Sequence, residues 1–278
     1  MLLGAYLYAA LATTRAPPTH VSGFAVEQTV TSIYGTAYTT LSVSSDPDVD
    51  DLLSVTHPDH PQQRVHNELE DAHGVLGVWP SAVAAARQVV ALTPPPRNLL
   101  ELGAGAGLPS LVAAIQHGAN VLATDVEELP LDLLRTAWDL RAASTPSSSL
   151  ETEVLDIRQG LSDVIARLDF DVDTIVCADM LYDADVAHAL GTELGALVAR
   201  SRTKEPVRLI VCDPGRRCRA HFLEAFCEAT AGFGEAAHFE EVDVVEEVEE
   251  GGGDEGQAPP PTDIFDGTPQ LTVGLLRW

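Results

Sequence analysis

An α/β fold with a doubly wound, mostly parallel sheet is predicted by three observations. The stretch Asn98–Asp125 reads as strand, glycine-rich turn, apolar helix and second strand. The same alternation of short apolar runs and helical patterns recurs through the chain that follows. Two last strand-like runs, 236–245 and 270–277, have no helix between them and read as an antiparallel closing hairpin. With helices between the first five strands of the domain, the count comes to seven strands in one sheet.

In chain order, residues 1–20 give no firm element. Their apolar start, Met1–Ala12, has no basic residue ahead of it, since Arg15 comes after the run. It therefore does not read as a signal peptide, and it is too short to span a bilayer. From Phe24 to Val43, β-branched and aromatic residues flank Gly35, the pattern of a hairpin. Residues 1–73 are read as an N-terminal extension carrying this hairpin, and 74–278 as the main domain. His57, His60, His66 and His73 match no metal-ligand spacing, and prolines interrupt the first pair, so no metal is expected.

Pro80 is suited to a first helical position and opens a helix over Ser81–Leu92, which Pro94–Pro96 stop. The strand Leu99–Leu102 leads into Gly103, Gly105 and Gly107. The helix Leu108–His117 and the strand Asn120–Thr124 follow, and that strand ends on Asp125. Helix Glu127–Arg141, strand Glu151–Ile157, helix Leu161–Leu168 and strand Asp173–Ala178 continue the alternation. Helix Ala184–Ser201, strand Val207–Cys212 and helix Ala220–Ala231 precede the closing pair. Residues 246–268 form an acidic, then Gly/Pro-rich insertion within that pair.

The glycine turn carries the functional reading. Glycine lets a backbone take positive φ and approach a ligand closely, and an acid closing the next strand can hold a ribose diol. A dinucleotide fold would set G-x-G-x-x-G against a pyrophosphate. Here Glu101 stands two residues before Gly103, and a carboxylate beside the turn repels phosphate but suits a cation. S-adenosylmethionine carries a sulfonium and an ammonium and no phosphate, which makes it the expected cofactor. Ligands in such sheets bind beyond the carboxyl ends of the strands. That locus gathers Glu101, Gly103, Ala104, Gly105, Asp125, Asp156, Ile157 and Ala178 with Asp179 and Tyr182.

Sixteen basic against forty-two acidic residues give a net charge of −26. That excludes the basic footprint of a nucleic-acid binder and favours a cationic partner such as a Lys/Arg-rich protein segment. Four cysteines without C-x-x-C pairing fit a reducing compartment, so a cytoplasmic or nuclear monomer with no membrane association is expected.

Gly77-Val78-Trp79-Pro80, Leu100–Pro109, Thr124-Asp125 and Asp179-Met180-Leu181-Tyr182 together resemble the seven-β-strand protein-lysine methyltransferases, methyltransferase family 16. The D-x-x-Y run after the fourth strand of the domain is the most specific of these. The resemblance implies a Rossmann-like class I methyltransferase. It implies that Trp79, Gly103, Ala104, Gly105, Asp125, Ile157 and Ala178 line the donor site, and that Asp179 and Tyr182 flank the acceptor amine. The family often has tryptophan where this chain has Ile157. Asp179–Asp185 and Asp213–Arg216 resemble the branch acting on the electron-transfer flavoprotein β subunit. Glu101–Ser110 and Glu127–Pro130 resemble a branch tied to histone arginine methylation, so no single substrate follows. Arginine or a small-molecule amine as acceptor, and a non-catalytic binding module, are the competing readings. Asp179 has a structural alternative as cap of the helix near Ala184, and Tyr182 and Trp79 as packing residues.

Overall fold

The computed structural model describes residues 20–21, 24–43, 77–141, 148–167, 171–201, 207–231, 238–243 and 272–277. The four early histidines and the 246–268 insertion lie outside them, as do residues 1–19. Two sheets are present. The smaller contains β1 (His20–Val21), β2 (Phe24–Ile33) and β3 (Thr36–Val43), antiparallel throughout. The larger has seven strands in the order β6-β5-β4-β7-β8-β10-β9. They are β4 (Asn98–Leu102), β5 (Asn120–Asp125), β6 (Ser149–Val154), β7 (Thr174–Ala178), β8 (Arg208–Asp213), β9 (His238–Asp243) and β10 (Thr272–Arg277). β4 to β8 are parallel, and β10 runs antiparallel between β8 and β9.

Side chains alternate across this sheet, and the two faces build two cores. Leu99, Val121, Ala123, Val176 and Ile210 pack against α1 (Pro80–Ala91), α2 (Leu108–His117) and α3 (Glu128–Asp139). Leu100, Leu102, Leu122, Ile175 and Val211 pack on the opposite side. There they meet α4 (Ser162–Arg167), α5 (Ala184–Ser201) and α6 (Arg219–Thr230).

The helix α2 is apolar almost all round, and Leu108 to Ala114 are all buried. A helix lying on a sheet needs only one apolar stripe, so a second cover is required. Helix α1 and the β2–β3 hairpin, which lies across α2 and α3, provide it together. Ile33, Tyr38, Leu41 and Val43 belong to the same core as α2, and the Tyr38 hydroxyl donates to Gln116 Oε1 at 2.6 Å. Arg141, beyond α3, donates to the Ala37 carbonyl. Side chains of this kind each contribute about 1.5–3 kcal/mol on full burial, so the hairpin is integral to the core it covers.

The elements match the sequence expectations closely, with one instructive difference. The strand expected to reach Ile157 stops at Val154. The Asp156 carboxylate accepts the Arg158 amide at 3.0 Å and turns the chain into a short 3-10 helix, Ile157–Gln159. A side-chain bond to its own backbone outcompetes the sheet ladder at that point.

Candidate active site

The strand order reverses between β4 and β7, since β4 leads to β5 on one side and the chain returns to β7 on the other. Ligand crevices in open α/β sheets lie outside the carboxyl ends of the strands at such a reversal. Each of the five parallel strands carries an acid at or just beyond that end: Glu101, Asp125, Asp156, Asp179 and Asp213. Three of the five are matched by arginine. Asp156 pairs with Arg158 at 2.8 Å, Asp179 with Arg216 at 2.5 Å and Asp213 with Arg219 at 2.7 Å. The remaining two, Glu101 and Asp125, stand on adjacent strands beside the reversal. Among the described residues their hydrogen-bond donors are neutral.

Asp125 Oδ2 accepts the Gly105 amide at 2.9 Å, and Oδ1 accepts the Glu127 amide at 3.2 Å. Each oxygen keeps acceptor capacity for a ligand hydroxyl. The residue is 9% exposed, and burial raises its pKa against the lowering pull of the surrounding amides. Glu101 is 1% exposed and, by strand alternation, faces α2. Its Oε2 accepts the Ser110 amide at 2.9 Å and the Ser110 hydroxyl, in the first turn of that helix. Loss of water pushes its pKa up to about 8, and the nearby Asp125 charge acts in the same direction. A cation seated here would replace the missing solvation and counter-charge.

Gly103, Gly105 and Gly107 have φ of 63°, 50° and 68°. Gly107 caps α2, and a Cβ on it would fall 2.4 Å from Leu134, so this glycine serves helix packing. A Cβ on Gly103 would fall 2.8 Å from the Met180 side chain. The bare glycine thus lets the Asp179–Tyr182 segment lie against the loop. The Ala104 amide donates to the Thr124 carbonyl at 2.8 Å and fixes the loop on β5. Trp79 precedes α1 and accepts the Ala82 amide on its carbonyl at 2.9 Å. Because α1 leads into β4 at the amino edge of the sheet, its N-terminus and half-buried Trp79 lie toward the carboxyl edge.

Asp179 follows β7 directly with φ 60°, and its amide donates to the Cys212 carbonyl at 2.8 Å. Arg216 grips both carboxylate oxygens, Nε to Oδ1 and the terminal nitrogen to Oδ2 at 2.9 Å. Asp179, expected to flank the acceptor amine, therefore has its counter-charge within the fold. The capping role considered for Asp179 belongs to Asp183, whose Oδ1 accepts the Asp185 and Val186 amides at 2.9 and 3.0 Å. Tyr182 is 52% exposed. Burial of its hydroxyl end raises the phenol pKa, and the fields of Asp125 and Asp183 add to the rise. The hydroxyl is thereby placed within electrostatic reach of the acid that closes β5.

Ile157 is buried in the second core with Leu161 and Val164, and Ala178 is half-buried at the end of β7. Asp156 is committed to Arg158, which lowers its pKa. Arg216 had no role assigned from sequence. Its signal was the spacing Asp213-Pro214-Gly215-Arg216, which returns the Gly215 and Arg216 amides to the Asp213 carboxylate at 3.1 and 3.2 Å and fixes where Arg216 starts.

The comparisons with known proteins agree with this architecture. The chain is 29% identical over 140 residues to the rat electron transfer flavoprotein beta subunit lysine methyltransferase, 50% of this chain and 49% of that one. It is 31% identical over 122 residues to the bovine protein-lysine methyltransferase METTL21E, 42% of this chain and 40% of that one. It thus spans half or less of these curated relatives. Among solved structures, a provisionally described methyltransferase complexed with SAH aligns at TM-score 0.53 and 11% identity. The alignment covers 91% of this chain and 56% of that one. A provisionally described SAM-dependent methyltransferase from Streptococcus mutans aligns at TM-score 0.51 and 11% identity, with the same coverage. At that identity the likeness is one of fold. Residues 59–228, well over half of the chain, match the profile of the lysine methyltransferase family, and the chain belongs to that family.

Proposed function

We propose that this chain binds S-adenosylmethionine at the carboxyl edge of β4 and β5 and directs methyl transfer to a lysine side chain of a protein. The observation that carries the reading is the pair of buried carboxylates, Glu101 and Asp125, which among the described residues have no cationic partner where three neighbouring acids have one. Asp125 would accept the ribose hydroxyls, and the Gly103–Gly105 backbone and Trp79 would border the cofactor. Ala104, Ile157 and Ala178 complete the proposed lining, with Asp156 acting only through its Arg158 pair. Bound S-adenosylmethionine supplies a methyl group on a sulfonium.

The chain's task is then to present a neutral amine behind that methyl. The amine lone pair forms the new N–C bond as the S–C bond breaks, and the nitrogen gives its proton to solvent. Lysine ionises near pH 10.4, so the acceptor must arrive, or be held, as the free base. Tyr182, half exposed, offers an aromatic ring and a hydroxyl to orient it. Most of the acceleration in this reading comes from positioning. The net charge of −26 favours a basic protein segment as acceptor, met by a monomer in a reducing compartment.

The test is incubation of the purified chain with methyl-labelled S-adenosylmethionine and host lysate, followed by mass spectrometry of labelled bands. Methyl-lysine on a discrete protein, lost with Tyr182→Phe while donor binding persists, is expected. Donor binding with label on arginine or on small molecules would move the acceptor class. Donor binding without transfer to any acceptor would leave a binding module.

A further inference from the structure

The pairing of Asp179 with Arg216 has a consequence for the acceptor amine. Asp179 opens the D-x-x-Y segment, in the strained left-handed region at φ 60°. Its side chain is only 9% exposed and Arg216 holds it by two hydrogen bonds. Arg216 is held in turn, since its amide and that of Gly215 bond to the Asp213 carboxylate. Arg219 neutralises Asp213 through its Nε at 2.7 Å and also grips the Asp213 carbonyl. A carboxylate fixed this elaborately, against a matching guanidinium, presents little net charge. An unpaired carboxylate beside the acceptor would hold lysine as ammonium, the form that cannot attack.

We propose that Arg216 is a positioning residue that cancels the charge of Asp179, so that the acceptor lysine is held next to Tyr182 without being locked in its protonated form. The inference rests on the lysine-transfer reading above. Other charged and titratable groups among the described residues lie around this segment. From β5 there is Asp125, which acts on Tyr182. From the 3-10 turn there are Asp156 and Arg158, paired with each other. From the segment itself there is Asp183, occupied as a helix cap. From the end of β8 and the turn into α6 there are the Asp213–Arg219 pair, Arg217, and Cys218, whose thiol lies 3.7 Å from the Tyr182 carbonyl. Three of these four acids, Asp156, Asp183 and Asp213, are spent on arginine or on amides of their own loop. Arg216 is thus the group whose removal uncovers a charge at the head of the D-x-x-Y segment.

The experiment compares wild type, Arg216→Gln and the double variant Arg216→Gln/Asp179→Asn on the acceptor identified by labelling, across pH 6.5 to 9.5. Arg216→Gln should bind the acceptor more tightly, with KM down several-fold. Its rate profile should move up by about one pH unit, making kcat near pH 7.5 about tenfold lower. The double variant restores neutrality and should return the profile to within about 0.3 unit of wild type, even where both variants melt at lower temperature. A purely structural role predicts lower kcat at every pH with an unmoved profile and no rescue, which overturns the proposal and leaves the lysine reading intact. A wild type that transfers no methyl to lysine overturns the lysine reading and this role with it. Donor titration of each folded variant keeps donor loss separate from both.

Discussion

At their amino ends the five parallel strands are laced together by side chains that cross from strand to strand, whereas at their carboxyl ends the acids turn to the loops and helices that follow the strands. The amino-end belt crosses the sheet: Ser149 on β6 donates to Asn120 on β5 at 3.2 Å, and Asn120 donates to Asn98 on β4 at 3.0 Å. Asp173, before β7, accepts the Arg97 and Asn98 amides at 3.0 and 3.2 Å and pairs with Arg208 of β8 at 3.2 Å. Arg208 also reaches Thr174 at 2.9 Å. At the carboxyl edge, Asp125 holds the glycine loop, Glu101 holds α2, and Asp156 and Asp213 hold their own turns. One end of the sheet therefore fixes strand register, and the other fixes loops. Among the described residues, Asp173 has cationic partners at the first, whereas Glu101 and Asp125 have none at the centre of the second.

The comparison is broken most forcefully at the amino end. Asp173→Ala removes the counter-charge of Arg208, three-quarters buried, which keeps the Pro94 carbonyl and the Thr174 hydroxyl, and leaves two backbone amides without their acceptor. Stranding a largely buried charge costs about 3 kcal/mol, which lowers Tm by roughly 6–10 °C for a chain of this size. Donor affinity of the protein that is still folded should stay within about twofold of wild type, as read by calorimetry below the transition. A large loss of affinity would show that the two ends are coupled through the sheet.

Asp125→Ala should do the reverse. It removes the acceptor proposed for the ribose hydroxyls, and hydrogen bonds to a charged group contribute about 1.5–3 kcal/mol, or about ten- to a hundredfold in affinity. Its Tm should move less than that of Asp173→Ala, because among the described residues the groups that lose a partner, the Gly105 and Glu127 amides among them, are neutral. Wild-type affinity in a folded Asp125→Ala protein would reject this residue as a donor ligand.

The legible parts of this molecule were those written in local pattern. The turn from Glu101 to Gly107, the strand-ending Asp125 and the order of elements follow from glycine spacing and from apolar runs of strand or helix length. The Phe24–Val43 hairpin was legible as well, but its purpose was not. Its burial of α2 is a contact between residues such as Tyr38 and Gln116, far apart in sequence, which no local pattern announces. The same holds for Arg216. Its pairing with Asp179 joins the ends of two neighbouring strands, β7 and β8, and becomes visible only once those strands are known to lie side by side. Asp156 misled in a third way, because a carboxylate after a strand reads the same whether it faces a ligand or an arginine two residues on.

The finest test concerns Glu101, where the effect is a fraction of a proton. In the folded chain its pKa stands at about 8 against an ordinary 4.5, chiefly because burial removes the water that would solvate the anion. Folding thus favours the protonated acid. The contribution to stability is present below pH 4.5 and is lost as pH rises through about 8. At pH 7 most free protein carries that proton. A cation placed beside the Glu101–Asp125 pair favours the ionised form, so donor binding should expel it. Calorimetry at pH 7 in two buffers of different ionisation enthalpy counts the protons directly. Wild type should release up to about one proton more than Glu101→Gln, whose amide oxygen can still accept from Ser110 but which has no proton to lose. The donor's own α-amine ionises at about pH 7.7–8.0, so it is already mostly protonated at pH 7 and adds little to the difference. Equal proton counts would show that the cationic part of the donor lies away from Glu101, and would reduce that carboxylate to the clasp that holds the first turn of α2.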